Sequence, residues 1–435
     1  MNFKNTLLLT CFTVGIAVST DAQIWNATQP EIGIWSAPNN TGLAIAPDED
    51  IQAAVFDDPG GFYQIYWIEG STSTIVDADA NSGIDPDVAY YANADALVVA
   101  YEDGGVIFVD DYYLATLLPT PDYFMNTTTA VSSGTYPNVD MNSMGDGVLC
   151  WEDGGMIWAC SFGIGAFNPG PPTPVIDGTQ PDIILLDDGS TVALTYVDPN
   201  GSLHIMTLDY GSLQGGGAAI MQLQGFDWLG NTAAFPRIAG QRNSNFGAPD
   251  DFTVVAQYSN SPTFPEVYGV FSTGGTISAA PVLINGAFAG CNSSDPRPVV
   301  AYDRSEVHVA WSQNYFSGCS GLGQSNPNFT SDVLLTNYDP VGNLLPATPP
   351  IPGGFIYEEV NQFQSFIGGN SRTSISTEYD GFFSINNFNY HEGVLFNDPG
   401  DLLWKERSAA VPVFMEQQIS GERGNNFSLV TSPVD

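Results

Sequence analysis

The arginines of this chain recur at a repeated position where their charge could act on a ligand. Arg237 and Arg297 each follow a proline, and acidic or amide residues follow comparable prolines elsewhere. The full set at this position is Asp87, Asn138, Asp182, Arg237, Arg297 and Arg372. If the repeats surround a common axis, guanidinium groups at one mouth could bind a ligand carboxylate through paired hydrogen bonds. The structural alternative is that arginine and aspartate neutralise one another across the axis.

A second set of candidate residues is acidic and lies at predicted hairpin turns. Its members are Asp57, Asp58, Glu102, Asp103, Glu152, Asp153 and Asp198. Carboxylates and carbonyls at such turns are hard oxygen donors, so the sequence requires no cofactor but is compatible with Ca²⁺ on this rim. Two carboxylates at a suitable separation would also serve glycoside hydrolysis. The alternative is that these are solvated turn residues, since no EF-hand spacing occurs.

Other catalytic patterns are missing from the sequence. The histidines are His204, His308 and His391, and they form neither a His-x-His nor a His-Glu-x-x-His pattern. No Gly-x-Ser-x-Gly motif occurs either. These observations argue against Ser-His-Asp catalysis and against a histidine metal site, and we assign no catalytic residue. Trp228, in a loop-like stretch, is a candidate for stacking on a sugar.

The elements that would position these residues are short repeated strands. Segments opening at Pro86, Pro137, Pro181 and Pro296 each reach an aromatic residue after 14 or 15 positions. A recurring unit of short strands with Gly-rich turns is typical of a β-propeller blade. The sequence predicts an all-β fold with one propeller of about seven four-stranded blades, six or eight being the alternatives. Either the N-terminal segment 32–35 or the C-terminal segment 427–430 would pair into the blade at the other end of the chain and close the ring.

The N-terminus indicates export. Lys4 precedes an apolar run that ends near Thr20-Asp21-Ala22, which is typical of a cleaved signal peptide over residues 1–22. Residues 23–435 then form the propeller. The apolar run is short for a transmembrane anchor, so we expect a secreted or outer cell-surface protein without membrane insertion.

Four cysteines remain after the predicted cleavage. An even number in an exported chain predicts two disulfides, Cys150–Cys160 and Cys291–Cys319. The alternative is buried free thiols.

The charge excludes one class of partner. The sequence has 48 acidic and 9 basic residues, a formal net charge of −39. Such a surface repels nucleic acid and anionic lipid.

The blade pattern over most of residues 43–400 resembles sialidase-like exported bacterial propellers. In sialidases an arginine triad grips the sugar carboxylate, and the resemblance therefore implies a propeller with arginines near its ligand. The Ser-x-Asp-x-Gly-x-x-Trp box of sialidases is absent, and no tyrosine and glutamate pair can be assigned as nucleophile and base. We therefore expect a non-catalytic recognition module for a glycan or a surface protein. The rival is a polysaccharide-acting enzyme that uses the arginines and rim carboxylates, and a third possibility is a purely structural surface component.

Overall fold

The structure is a computed structural model, and it describes part of the chain. Backbone is described for residues 47–48, 51–57, 63–69, 72–77, 83–91, 96–115, 122–142, 145–163, 169–186, 188–227, 232–240, 251–259, 265–285, 296–302, 306–313, 331–345, 358–363, 373–380, 389–398, 401–408, 411–420 and 426–428. Side chains are described within 83–345, in the five blades that follow the first.

The described strands form seven antiparallel sheets that follow one another along the chain. The first three sheets, blades 1 to 3, contain β1 (Pro47–Asp48), β2 (Ile51–Asp57), β3 (Tyr63–Glu69) and β4 (Thr72–Asp77); β5 (Ile84–Tyr91), β6 (Ala96–Asp103), β7 (Val106–Ala115) and β8 (Asp122–Ser133); and β9 (Thr135–Met141), β10 (Asp146–Asp153), β11 (Met156–Gly163) and β12 (Thr173–Asp177).

The later sheets repeat this order. Blades 4 and 5 contain β13 (Thr179–Leu185), β14 (Thr191–Val197), β15 (Leu203–Asp209), the short helix α1 (Tyr210–Gln214) and β16 (Ile220–Phe226); then β17 (Thr232–Gly240), β18 (Phe252–Ser259), β19 (Pro265–Thr273), β20 (Thr276–Ile277) and β21 (Val282–Leu283). Blades 6 and 7 contain β22 (Val299–Tyr302), β23 (Val307–Gln313), β24 (Ser331–Tyr338) and β25 (Glu358–Phe363); then β26 (Thr373–Asp380), β27 (Asn389–Asp398), β28 (Asp401–Ser408) and β29 (Val411–Ser420), followed by β30 (Asn426–Ser428).

The first strands of successive blades touch in cyclic order and enclose a central axis. β5, β9, β13, β17, β22 and β26 each contact the next, and β30 contacts both β26 and β5. β30 pairs with β2, with Phe427 opposite Phe56, and thus supplies an inner strand to blade 1. The predicted propeller with seven blades is therefore confirmed, and the C-terminal one of the two candidate segments supplies the closing strand.

Two tight hairpins have the turn chemistry that the sequence predicts. Asp103 pairs with Val106 across Gly104 and Gly105, whose φ angles are 60° and 81°. Gly154 and Gly155 repeat this geometry in blade 3. Both central residues need positive φ in a type I′ turn, which glycine adopts without steric cost.

The hydrophobic core lies between neighbouring blades. One cluster joins blade 3 to blade 4 through residues such as Ile157 and Leu194, and others join blades 2 and 3, 4 and 5, and 5 and 6. Trp151 and Trp311, the aromatic ends of two repeats, are completely buried. The sheets of blades 3 to 5 therefore bury both of their faces, which fits the apolar second strands.

The strand assignment for the last blade needs a correction. The sequence predicts its second strand at 384–388 and its third at 393–396. In the structure 393–396 belongs to β27, the second strand of blade 7, and the third strand is β28. Residues 384–388 lie outside the described residues, as do the predicted signal peptide and Trp228. In the described part of the chain no helix is long and apolar enough to cross a membrane.

The predicted Cys150–Cys160 disulfide is wrong, and both residues are buried free thiols. Cys150 pairs with Ala159, whereas Cys160 pairs with Leu149, so the two side chains leave opposite faces of the sheet. Cys150 packs in the cluster towards blade 4 and Cys160 in the cluster towards blade 2. A one-residue offset in register thus decides the redox state, since no disulfide spans a sheet through its plane. Cys291 and Cys319 lie outside the described residues.

We expect Cys150 and Cys160 to be alkylated as free thiols after denaturation without reductant, because their side chains point apart. Before denaturation both should be protected, since burial raises the pKa of each thiol. Mass spectrometry after proteolysis at glutamate, which cleaves at Glu152 between the two cysteines, measures this, and a peptide pair joined through Cys150 and Cys160 would contradict the structure.

We expect a chain that ends after residue 425 to be less stable, because it lacks β30 and leaves the edge of β2 without its partner. Its melting temperature should fall by on the order of 5 °C, with concentration-dependent association. A chain that ends after residue 428 retains β30 and is the matched control. Equal melting temperatures for the two truncations would show that β30 does not hold the ring closed.

Candidate functional site

Four of the six residues that the sequence predicts at the channel mouth occupy one equivalent position on the inner strands. The residues in register with this position are Asp87, Asn138, Asp182 and Arg237, which pair with Ala100, Cys150, Thr195 and Val255. We call these four residues the inner layer. Arg372 lies outside the described residues.

The aspartates of the inner layer join neighbouring blades through backbone amides. Asp87 Oδ2 accepts a hydrogen bond of 2.7 Å from the amide of Val139 in the next blade. Asp182 Oδ2 accepts one of 2.9 Å from the amide of Ile238, again one blade further on. Each carboxylate thereby satisfies a backbone donor of the neighbouring inner strand, and pairing of this kind is what a buried polar group requires.

The other two inner-layer residues make a similar cross-blade network. Asn138 Nδ2 donates to the carbonyl of Pro181 at 2.7 Å, and Arg237 Nη1 donates to Asn138 Oδ1 at 3.4 Å. Burial raises the pKa of Asp182 to about 6, while the nearby positive charge of Arg237 acts to lower it. The described contacts of the inner layer therefore join neighbouring blades, and a role of these residues in ligand binding stays a prediction.

Arg297 does not belong to this layer, which corrects the sequence assignment. Val299 pairs with Ala310 and occupies the inner-layer position of blade 6, so the aligned proline is Pro298 rather than Pro296. Four residues separate Tyr91 from Ala96 in blade 2, and four separate Tyr302 from Val307 in blade 6. The first two strands of blade 6 are nevertheless shorter than those of blade 2. This shortening displaces Arg297 by two positions.

Arg297 instead belongs to a second ring of residues, each of which directly precedes a blade proline. These five residues share a positive φ angle that is uncommon outside glycine: Asp85 (50°), Tyr136 (54°), Gln180 (52°), Phe235 (49°) and Arg297 (39°). We call them the bulge ring. The bulge ring was not predicted from the sequence, although each of its members directly precedes a blade proline.

A β-bulge explains the shared geometry. In blades 2 to 5 the register shifts so that the positive-φ residue and its proline together oppose a single residue of the second strand. Such a bulge bends the strand and redirects a side chain. Proline is tolerated there because the ladder requires no amide donor from the extra residue.

The bulge ring converges, because its members interact directly and across the axis. Gln180 Oε1 accepts from the amide of Phe235 at 2.7 Å, and the guanidinium carbon of Arg297 lies 4.2 Å from the centre of the Phe235 ring. The amide of Arg297 donates to Gln257 Oε1 at 3.2 Å. The charge of Arg297 in blade 6 also acts on Tyr136 in blade 3. The five side chains therefore surround one end of the central axis.

Asp85 is the least satisfied polar group of the bulge ring. Its side chain is only 6% exposed, and Oδ1 is buried without a hydrogen-bond partner. Burial and, to a smaller extent, the charge of Glu102 raise the pKa of Asp85 to about 7, against the lowering effect of Arg237 and Arg297. An unpaired buried carboxyl is costly to the fold, so it marks a place where a ligand could supply the missing donor.

Two glutamates from the second strands flank the ring. Burial raises the pKa of both Glu102 and Glu152. Glu152 Oε2 accepts a 3.3 Å hydrogen bond from the amide of Gln180. Tyr136 is 38% exposed, and burial together with Asp85, Glu152 and Glu102 raises the pKa of its hydroxyl. The site thus combines carboxyls, an amide, a guanidinium and two aromatic rings.

The acidic-turn set is divided between different surroundings. Glu102 and Glu152 belong beside the bulge ring, whereas Asp153 accepts from Ser133 Oγ at 2.7 Å and Asp198 accepts from the amides of Asn200 and Ser202. Asp103 is exposed at its hairpin, Asp57 lies in β2 without a described side chain, and Asp58 is outside the described residues. Among described residues, no group of three or more histidine, cysteine or acidic side chains could hold a metal ion.

Comparison with known proteins gives structural neighbours only. No protein-family model matches the chain, and no curated protein matches it. A fucose-specific lectin from Aleuria aurantia is 9% identical, covers 72% of this chain and 97% of its own, and has a TM-score of 0.41. A putative 6-phosphogluconolactonase from Bacteroides uniformis is 9% identical over 87% of this chain and 98% of its own, with a TM-score of 0.48. A lectin, SapL1, in complex with alpha methyl fucoside is 10% identical over 78% of this chain and 94% of its own, with a TM-score of 0.40.

These neighbours define no ligand for this chain, whose propeller fold follows from its own strand pairing. The sialidase-like resemblance has no family match behind it and stays a prediction.

We expect Asp85→Asn to flatten the pH dependence of stability. The pKa of Asp85 is near 7 in the folded chain and near 3.8 when unfolded, so the native state retains a proton that the unfolded state loses. This contribution to stability is fully present below pH 3.8 and is lost as the pH rises through 7. The wild-type protein should be as stable as Asp85→Asn near pH 3.8 and less stable than this variant near pH 7.

Thermal melts at both limits measure this difference. Asp177→Asn, which removes a carboxylate from the exposed end of β12, is the control and should remain parallel to wild type. Parallel curves for Asp85→Asn would contradict the buried, proton-retaining carboxyl.

Proposed function

We propose that this protein is an exported, non-catalytic recognition module that binds a glycan at the bulge ring. The observation that carries the proposal is the buried Oδ1 of Asp85, which lacks a hydrogen-bond partner among side chains suited to a polyhydroxylated ligand.

The composition of the ring supports a saccharide. Binding sites combine apolar or aromatic walls with a few oriented polar groups. Tyr136 presents an exposed ring, and Phe235 holds the guanidinium of Arg297 against its face. Glu102 and Glu152 add acceptors, and Gln180 is fixed through its bond to the Phe235 amide. A sugar can donate to the carboxyls through its hydroxyls while its apolar face lies on an aromatic ring.

The position of the ring supports binding to an extended glycan rather than to a buried small molecule. The bulge residues come from five consecutive blades and lie at the end of the axis, where Tyr136 is exposed. The inner layer beneath them is occupied by blade-to-blade hydrogen bonds. A ligand would therefore approach the ring from outside, and it would displace covering side chains to reach the buried Oδ1 of Asp85.

Export and a cell-surface location are proposed from the sequence of residues 1–22 and from the formal net charge of −39. The strongly acidic chain also favours a glycan or protein partner over a nucleic acid. A surface protein is the second partner class for the same face.

One observation favours the enzymatic rival. A carboxyl whose pKa lies near 7 is suited to act as a general acid, and Asp85 has that property beside Glu102. On this hypothesis the protein would cleave a polysaccharide, and the bulge ring would be its active site.

We expect Tyr136→Ala to weaken glycan binding about tenfold, which corresponds to about 1.4 kcal/mol, because the exposed ring is lost from the site. A glycan array identifies a ligand, and isothermal titration calorimetry then measures its dissociation constant. The control is Ile220→Ala, which truncates an equally exposed apolar side chain on the outer strand β16 and should bind as wild type.

Incubation of the array ligands with the protein separates the two functions. Intact oligosaccharides support a recognition module, whereas new reducing ends that disappear in Asp85→Asn support the enzyme. Unchanged affinity in Tyr136→Ala would remove the bulge ring from either role.

A further inference from the structure

Resting on the glycan-binding function proposed above, we infer that the bulge ring selects uncharged, hydroxyl-donating sugars and that Asp85 excludes acidic ones. This assigns Asp85 as the specificity-determining residue. It is the opposite of the carboxylate clamp that the arginines suggest in the sequence.

The hydrogen-bonding state of Asp85 determines what it can accept. Oδ1 is buried and has no partner, and an ionised carboxylate only accepts hydrogen bonds. A sugar hydroxyl supplies a donor and pairs the buried oxygen. A sialic acid or uronic acid carboxylate supplies acceptors alone, and it would place a like charge beside an unpaired buried one.

The arginines near the site are already engaged by the protein. Arg237 donates to Asn138 and acts on the buried Asp182, so its charge serves the inner layer. The Arg297 guanidinium stacks on Phe235 at 4.2 Å. These contacts anchor both guanidinium groups to the protein, and their positive charge is already shared with the buried carboxyls Asp85 and Asp182.

The charges around the ring also disfavour an acidic ligand. Asp85, Glu102 and Glu152 contribute three carboxyls against the guanidiniums of Arg237 and Arg297. Among the described side chains, the titratable and charged groups that act on Asp85 or respond to it are Glu102, Tyr136, Arg237 and Arg297. An added ligand carboxylate would therefore enter a site that is net negative when its acids are ionised.

Protonation of Asp85 gives the inference a distinctive signature. The protonated carboxyl is uncharged and can donate to a ligand carboxylate, so the exclusion of acidic sugars should weaken as the pH falls below about 7. Binding of a neutral sugar that donates to Asp85 should strengthen as the pH rises through the same range. A selectivity created by general surface repulsion would not depend on this one residue.

The test uses the full-length protein and pairs of array oligosaccharides that differ only by one terminal sialic acid or glucuronic acid. Calorimetry at pH 8 and at pH 5.5 measures each dissociation constant. We expect wild type at pH 8 to bind the neutral member at least about tenfold more tightly, with a smaller ratio at pH 5.5. Asp85→Asn should bind the neutral member about tenfold more weakly and show the same small ratio at both pH values.

Each variant changes one carboxylate to the corresponding amide and keeps the size of the side chain. Asparagine tolerates positive φ well, so Asp85→Asn is compatible with the φ of 50° at this position. Asp177→Asn removes an exposed carboxylate and should keep the wild-type ratio and its pH dependence. Glu102→Gln removes a charge that raises the pKa of Asp85 and should shift the pH dependence of selectivity to lower pH, which provides a second readout that does not alter Asp85.

The possible failures are distinguishable. Acidic sugars bound as tightly as their neutral partners at pH 8, or an unchanged ratio in Asp85→Asn, would overturn the selectivity and leave glycan recognition standing. Absence of binding to every sugar on the array would overturn the proposed function and this inference with it.

Discussion

The closed ring of inner strands is the constraint on which the other features depend. The sheets of blades 3 to 5 have apolar side chains on both faces, and each face is covered by the neighbouring blade that packs against it. A linear row of blades would leave the faces of its two end blades in water. Pairing of β30 with β2 removes this cost by bringing the last part of the chain into the first blade. The equivalent positions of the repeats then surround one axis.

Backbone amides of the inner strands need polar partners where these strands meet around the axis. Backbone amides of the inner strands meet side chains of the preceding blade, as Asp87 does with Val139 and Asp182 with Ile238. These contacts use carboxylates where a hydrophobic side chain would leave a donor unsatisfied. Burial raises the pKa of Asp182, so this contact between blades has an electrostatic cost. Hydrogen bonds from backbone amides and the positive charge of Arg237 offset that cost.

The bulge ring is the proposed functional counterpart of the inner layer. Five residues with widely different side chains share one backbone geometry, which indicates that the bulge belongs to the repeat and the side chain to the individual blade. The fold thereby provides a fixed ring of positions whose chemistry can vary without disturbing the strands. In this protein the ring holds a buried carboxyl with an unpaired oxygen, two aromatic rings, an amide and a guanidinium.

Some of this organisation could be predicted from residue patterns alone. Alternating and apolar strands, and the Gly104-Gly105 turn, are local signals, so the strands of blades 2 to 6 were predictable. The residues before the blade prolines were visible as well, but their importance was not. Positive φ at Tyr136 or Phe235 runs against local preference and is maintained by strand pairing on either side. The weaker repeat in blade 7 led to a misplaced strand.

The sequence by itself determined the repeat, the turn positions and the acidic charge, because each is a property of neighbouring residues or of composition. Tertiary structure decided the register. A one-residue offset sent Cys150 and Cys160 to opposite faces, and a shorter strand pair moved Arg297 from the inner layer to the bulge ring. It also left Asp85 Oδ1 buried without a partner. These outcomes depend on which residues of distant segments lie opposite one another, and hydrogen bonding between strands fixes that only when the ring has closed.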